Sequence, residues 1–173
     1  MNIWHDIRDE RIKADEFIAV IEIPKGSKKK YEIDKETGLL ALDRIPPTGM
    51  QYPMNYGFIP RTLCEDGDAL DVWVVTSETL DPMILVNCKP VAVIEMIDCG
   101  ERDEKIIAVP VKDPNNDVPK NVINEIIHFL RYYKAHDPKN IIELKPAGDK
   151  ALAIKYINDA KVLYNKKFGG GKK

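Results

Sequence analysis

Between residues 17 and 111, apolar side chains come in short runs, and most runs stop at a glycine, a proline or a group of charges. The run 17–23 is rich in β-branched residues and is closed by Pro24, which predicts a strand. Glu22 is the exception inside it, because a carboxylate within an apolar run is costly to bury without a partner. A basic turn around Gly26 leads to a second strand over 30–34, with Lys30 and Glu32 on one face and Tyr31 and Ile33 on the other. A hairpin between these two strands would bring Glu22, Lys30 and Glu32 together. Gly38 marks the next turn, and 39–42 a third strand that ends in Asp43-Arg44. Further strands are expected over 72–75, 83–88, 91–97 and 104–111, with 98–103 as a hairpin loop. The stretch 45–60 differs. Pro46, Pro47, Pro53 and Pro60 exclude helix and disfavour a central strand, whereas Met50, Met54, Tyr56, Phe58 and Ile59 supply anchors. An ordered, winding segment is expected there.

The period changes after Pro119. Ile123, Ile126, Ile127, Leu130 and Tyr133 follow helical spacing. A short strand over 141–144 precedes a second helix that starts near Gly148 and carries Ala153, Ile157, Ala160 and Tyr164. Many short strands followed by helices predict an α+β fold: a small closed β-barrel, OB-like and mostly antiparallel, with two main helices packed outside it. A single domain over 1–173 is expected, with 168–173 as a flexible tail and Asn115-Asn116-Asp117 as a surface turn. Trp73 reads as core.

Composition narrows the class. Of 173 residues, 44% are hydrophobic and 31% charged, which argues for a folded chain, and the net charge of −2 argues against general nucleic-acid binding. No apolar run reaches membrane-spanning length, and the first ten residues lack the apolar core of a signal peptide, so a cytoplasmic protein is expected. Cys64, Cys88 and Cys99 have no metal-ligand spacing and read as reduced thiols. His5, His128 and His136 form no ligand set; the latter two flank the first helix, where a subunit contact could lie.

The densest chemistry lies at Asp66, Asp68 and Asp71. Two carboxylates ~5 Å apart repel by roughly 3 kcal/mol at an effective dielectric of ~20. Such a cluster needs full exposure or a cation. Extended backbone would split the three between two faces, so they converge only if the chain turns, and Gly67 can allow that turn. Hard oxygen ligands of this kind suit Mg²⁺, Mn²⁺ or Ca²⁺. A second polar group follows at Asp98, Asp103 and Lys105, and Arg61 lies where it could neutralise the acidic turn. Glu22 and Glu32, the cations Lys30, Arg44, Lys105 and Lys134, and the phenols Tyr52, Tyr56 and Tyr133 complete an inventory suited to a metal-bound polyanion. Another metal-dependent phosphohydrolase and a non-enzymatic Ca²⁺ or polyanion-binding module are alternatives. An EF-hand is disfavoured, since the twelfth position counted from Asp66 is Ser77. A haloacid-dehalogenase arrangement is disfavoured because no apolar strand ends at Asp66.

Seven segments then occur in a telling order: Val20 to Pro24, Lys30 to Asp34, Asp43-Arg44, Tyr52 to Gly57, Asp66 to Val72, Asp98 with Asp103 to Lys105, and Tyr133-Lys134. In this order they resemble the family I soluble inorganic pyrophosphatases of bacterial and archaeal type, from about Phe17 to Lys134. Ala69 departs from the proline usual there, and 112–121 is short for a bacterial member. The resemblance implies Mg²⁺-dependent hydrolysis of pyrophosphate to two phosphates, with Mn²⁺ or Zn²⁺ as substitutes and Ca²⁺ inhibitory. It implies Asp66, Asp71 and Asp103 as ligands around the attacking water, with Asp71 bridging. Asp98 and Asp103 would hold metal arriving with substrate, assisted through water by Glu22 and Glu32. Asp68 would be the general base. Lys30, Arg44, Tyr133 and Lys134 would bind phosphoryl groups, Tyr56 would orient the base or the nucleophile, and Lys105 would balance the carboxylates. A homo-oligomer, most often a hexamer, is also implied.

Overall fold

The computed structural model describes residues 1–114 and 117–169. Asn115, Asn116 and residues 170–173 lie outside the described residues, so the expected surface turn and most of the expected tail are not addressed. Ten strands and two helices follow in chain order: β1 (Phe17–Ile23), β2 (Lys30–Ile33), β3 (Leu40–Arg44), β4 (Asn55–Ile59), β5 (Leu70–Val74), β6 (Leu85–Ile94), β7 (Met96–Asp98), β8 (Glu101–Arg102), β9 (Lys105–Pro110), α1 (Lys120–Tyr132), β10 (Ile142–Leu144) and α2 (Lys150–Phe168). Five of them close a barrel in the order β1-β4-β5-β9-β6. Four of the barrel pairs are antiparallel, and β5 with β9 is parallel. The α+β barrel with two outer helices is therefore the architecture found.

Three local expectations need correction. First, β4 lies inside the proline-rich stretch and is paired on both sides, to β1 and β5. Pro53 and Pro60 fall outside it, so no ladder N–H is lost. Gly57 is what admits it: a Cβ there would lie 1.8 Å from the Val20 carbonyl oxygen of β1. Second, 83–88 and 91–97 are not two strands. β6 runs through Pro90, whose missing donor is absorbed where the register with β9 shifts between Pro90 and Ala92. Third, β2 forms no hairpin ladder with β1. It pairs with β3 as a separate two-stranded sheet.

Two packed clusters explain why the helices sit where they do. Ala153, Ile157 and Ala160 of α2 pack with Phe17, Ile21, Val72 and Ile106 of the barrel. Ile126, Phe129 and Leu130 of α1, with Tyr133 after it, pack with Tyr52, Trp73 and Ile107. Burying each large apolar side chain contributes about 1.5–3 kcal/mol. Asp149 caps α2 by accepting from the Leu152 N–H at 2.9 Å. Phe168 belongs to the last turn of α2, its ring 5.6 Å from Trp4, so it is not part of a tail. Among the described residues no helix is long and apolar enough to cross a membrane.

Candidate active site

The acidic turn is built as its residues predict. Gly67 takes φ +86°, Gly67 N–H donates to the Cys64 carbonyl at 3.1 Å, and Cys64 N–H donates to the Asp68 carbonyl at 2.7 Å. The Asp66 carboxylate accepts from the Asp68 N–H at 2.9 Å, which fixes its rotamer. The chain then enters β5, where Asp71 stands opposite Phe58 of β4 and Lys105 of β9. The parallel pairing of β5 and β9 thus brings the acidic turn and the loop holding Asp103 to the same end of the barrel.

Lys105 is 4% exposed and binds two carboxylates there: Asp71 at 2.5 Å and Asp103. Burial alone would lower the lysine pKa, but the charges of Asp71 and Asp103 outweigh it and raise it, so the ammonium persists. Burial, followed by the nearby charge of Asp71, lifts the Tyr56 phenol far above its ordinary range. Asp66 is raised by burial and then by repulsion from Asp68, Asp103 and Asp71.

Glu22 occupies a bulge, for the register of β1 with β4 shifts between Ile21 and Ile23. Its carboxylate accepts from the Ile33 N–H at 2.9 Å, and burial followed by the Asp71 charge pushes its pKa up to about 8. That bond ties β2 to the barrel. Lys30, at the start of β2, pairs with Glu32 and with Asp43 at 3.2 Å. At the end of α1, Lys134 binds Asp98 at 2.5 Å. The burial of Asp98 is outweighed by that bond and charge, so its pKa falls.

A cleft of about 230 Å³ opens over this floor. Asp66, Asp68, Asp71, Asp103, Glu22 and Glu32 reach it, and so do Lys30, Lys105, Lys134, Tyr56 and Tyr133. Arg44 and Asp98 line an adjoining cleft of about 380 Å³, which shares Asp66, Asp103, Tyr133 and Lys134 with the first. The two form one polar trough at the barrel mouth.

Some readings are corrected here. Asp66, Asp68 and Asp71 share the cleft without converging: among the described residues no three His, Cys, Asp or Glu side chains gather around one point. Lys35 pairs with Asp68, and Lys105 with both Asp71 and Asp103. Tyr52 does not line the cleft; it is 3% exposed and packs against Phe129 at 4.6 Å and Trp73 at 5.8 Å. Arg61 faces away from the acidic turn, donating to the His5 carbonyl at 3.0 Å with its guanidinium 5.3 Å from the Tyr164 ring. Lys35 escaped sequence reasoning. It comes from the turn after β2 and pairs with Asp68, although nothing in its own sequence neighbourhood signals that reach. The three cysteines are free thiols.

The donor chemistry fits a divalent cation. The oxygens are hard, several belong to strand ends, and Glu22, Asp66 and Asp71 all carry raised pKa values that a nearby cation would relieve. Lysine ammonium groups already supply positive charge between these acids.

A small closed barrel with acids and lysines interleaved at its mouth suits the binding of a polyanion together with divalent cations. Comparison with known proteins identifies the family. Residues 19–165 match the family model described as inorganic pyrophosphatase, and the chain belongs to that family. It is 41% identical over 172 residues to soluble inorganic pyrophosphatase 2 of Chlamydomonas reinhardtii, covering 95% of this chain and 89% of that protein. It is 43% identical over 165 residues to a soluble inorganic pyrophosphatase of Oryza sativa subsp. indica, covering 90% and 77%. Among solved structures, the inorganic pyrophosphatase of Helicobacter pylori superposes with a TM-score of 0.81 at 37% identity, covering 89% of this chain and 96% of that one. That of Thermus thermophilus gives 0.82 at 35% identity, covering 87% and 92%.

Proposed function

We propose that this chain hydrolyses inorganic pyrophosphate to two orthophosphates, with Mg²⁺ as its metal. The observation that carries the reading is the trough of interleaved acids and lysines at the barrel mouth, inside the span that matches the family. Mn²⁺ and Zn²⁺ are expected to substitute, and Ca²⁺ to inhibit.

Asp66, Asp71, Asp98 and Asp103 are the residues that would hold metal, with Glu22 and Glu32 in the same cleft to assist. When bound, the metal supplies a more acidic water and neutralises substrate charge. Asp68 is the general base: its side chain is 56% exposed to the cleft, where a carboxylate oxygen can take the proton of the attacking water. The water oxygen bonds to one phosphorus as the bridging P–O bond breaks, and the second phosphate departs with the bridging oxygen. Lys30, Arg44, Tyr133 and Lys134 bind the phosphoryl oxygens, and Arg44 and Lys134 hold the phosphate that is attacked. Tyr56 keeps its proton and orients the base or the nucleophile. Lys105 holds Asp71 and Asp103 in place between turnovers.

A cytoplasmic homo-oligomer, most often a hexamer in relatives of bacterial type, is the expected assembly; light scattering on purified protein tests it. Phosphate release from pyrophosphate, with Mg²⁺ and with excess chelator, tests the reaction, with ATP and a phosphomonoester as competing substrates. Fast release from pyrophosphate that chelator abolishes supports the reading. No release from folded protein with Mg²⁺ present refutes it.

A further inference from the structure

We infer that Tyr156, on the outer helix α2, is a positioning residue for Asp103, acting through Arg102 and Glu104. The inference rests on the reading of Asp103 as a metal ligand given above.

Asp103 sits in the short link between β8 and β9. Its N–H donates to the Met96 carbonyl at 2.9 Å, and its carboxylate meets Lys105 at the cleft floor. The residues on either side of it close on each other. Both the Nε and the Nη2 of Arg102 lie 2.8 Å from the Glu104 Oε1. The Glu104 side chain is only 10% exposed, so this brace does not simply wave in solvent. It spans the one residue whose aim matters.

The brace is tied to α2 at a single phenol. The Arg102 Nη2 donates to the Tyr156 hydroxyl at 3.0 Å, and that hydroxyl donates to the Glu95 Oε1 at 2.7 Å. Glu95, which also accepts from Lys145 at 3.4 Å, lies between β6 and β7. The direction of each bond is fixed, because guanidinium can only donate and carboxylate can only accept. Tyr156 is the link that must do both. Its ring adds a cation–π contact, 5.6 Å from the guanidinium. Ring packing against the barrel cluster and hydroxyl bonding are separable, since Tyr156→Phe removes only the second.

Partners of metal ligands typically alter metal affinity by about 10–100-fold when lost, and Tyr156 acts one step further out, so a loss of about 3–10-fold is expected. The experiment measures Mn²⁺ binding to substrate-free protein by the resonance signal of the free ion, beside the Mg²⁺ dependence of phosphate release. In Tyr156→Phe, Mn²⁺ should bind about 3–10-fold more weakly, and half-maximal activity should need more Mg²⁺ by a similar factor. The turnover at saturating Mg²⁺ should stay within about twofold. Arg102→Gln should behave alike, and it tests the same link should Tyr156→Phe fold poorly. The double variant should lose little more than either single one. Tyr132→Phe, which changes an exposed phenol on α1, should match wild type. Wild-type Mn²⁺ affinity in Tyr156→Phe, whatever happens to its melting temperature, overturns the inference, and so do strictly additive losses. Wild-type protein that hydrolyses pyrophosphate while Tyr156→Phe binds metal normally leaves the functional reading standing and removes this one alone.

Discussion

Lys105→Met separates the two tasks that a cation performs at the cleft floor. Methionine keeps most of the stem and removes the charge that Asp71 and Asp103 share. Breaking a buried pair by removing one partner costs about 3–5 kcal/mol. Here the lysine is 4% exposed, but the Asp71 and Asp103 side chains are 25% and 23% exposed, so water can take up part of the loss. The low end, about 3 kcal/mol, is therefore expected. Repulsion between the two released carboxylates, roughly 3 kcal/mol at ~5 Å and an effective dielectric of ~20, is of the same size. The assay is urea unfolding with chelator and with Mg²⁺. With chelator the variant should fall by about 3 kcal/mol. With Mg²⁺ it should recover more than wild type gains, because a divalent ion no longer competes with an ammonium for the same oxygens. A loss under ~1 kcal/mol, of the size seen for exposed pairs, would mean that the floor is wet and the charges are not coupled. An equal Mg²⁺ increment in both proteins would show that the ion does not bind where Lys105 sits.

Three other expectations bear on separate links. Asp68→Asn should retain wild-type melting and metal binding while losing most turnover; near-normal phosphate release would remove Asp68 as base. Gly57→Ala should cost more than the about 1–3 kcal/mol of ordinary overpacking, because its Cβ would strike the Val20 carbonyl at 1.8 Å, and wild-type stability in chemical unfolding would contradict the close approach. Asp98→Asn should destabilise at neutral pH through loss of the Lys134 pair. The folded pKa of Asp98 is depressed, so its contribution is present above the unfolded value and lost as pH falls through the folded one. The difference between variant and wild type should thus hold above pH 3.8 and shrink as pH falls progressively below it, and a difference that stays constant across that acid range in stability curves would refute the assignment.

Much of the trough was legible because its residues stand at ends of runs. Asp71 follows an acidic turn and opens β5, Glu22 is the polar residue within an otherwise apolar β1, and alternation places Lys30 beside Glu32. What alternation cannot give is the neighbour. It shows which face a residue takes and not which strand lies alongside, so sequence suggests a β1–β2 hairpin where a β2–β3 pair forms. Prolines misled at β4, where they bracket the strand, and at β6, where a register shift accommodates Pro90. Lys35 and Tyr156 were missed for a common reason. Each meets its partner across more than thirty positions of chain, at 33 for Lys35 with Asp68 and 54 for Tyr156 with Arg102, and neither lies in an unusual local pattern. Arg61 shows that nearness in sequence is not nearness in space. Its left-handed backbone, φ +56°, turns the side chain toward the N-terminal segment instead.

The parallel pairing of β5 with β9 has a consequence for how the protein is made. Antiparallel neighbours can zip from a short turn, but a parallel pair must wait for the chain between them to return, here through β6, β7 and β8. Asp71 and Lys105 stand opposite each other across that seam, 34 residues apart, so they meet only when the ring shuts. A half-finished chain leaving the ribosome holds Asp71 without its Lys105 partner, and its trough is incomplete. A ligand that needs the trough can therefore stabilise only the completed barrel and not the early stages of folding.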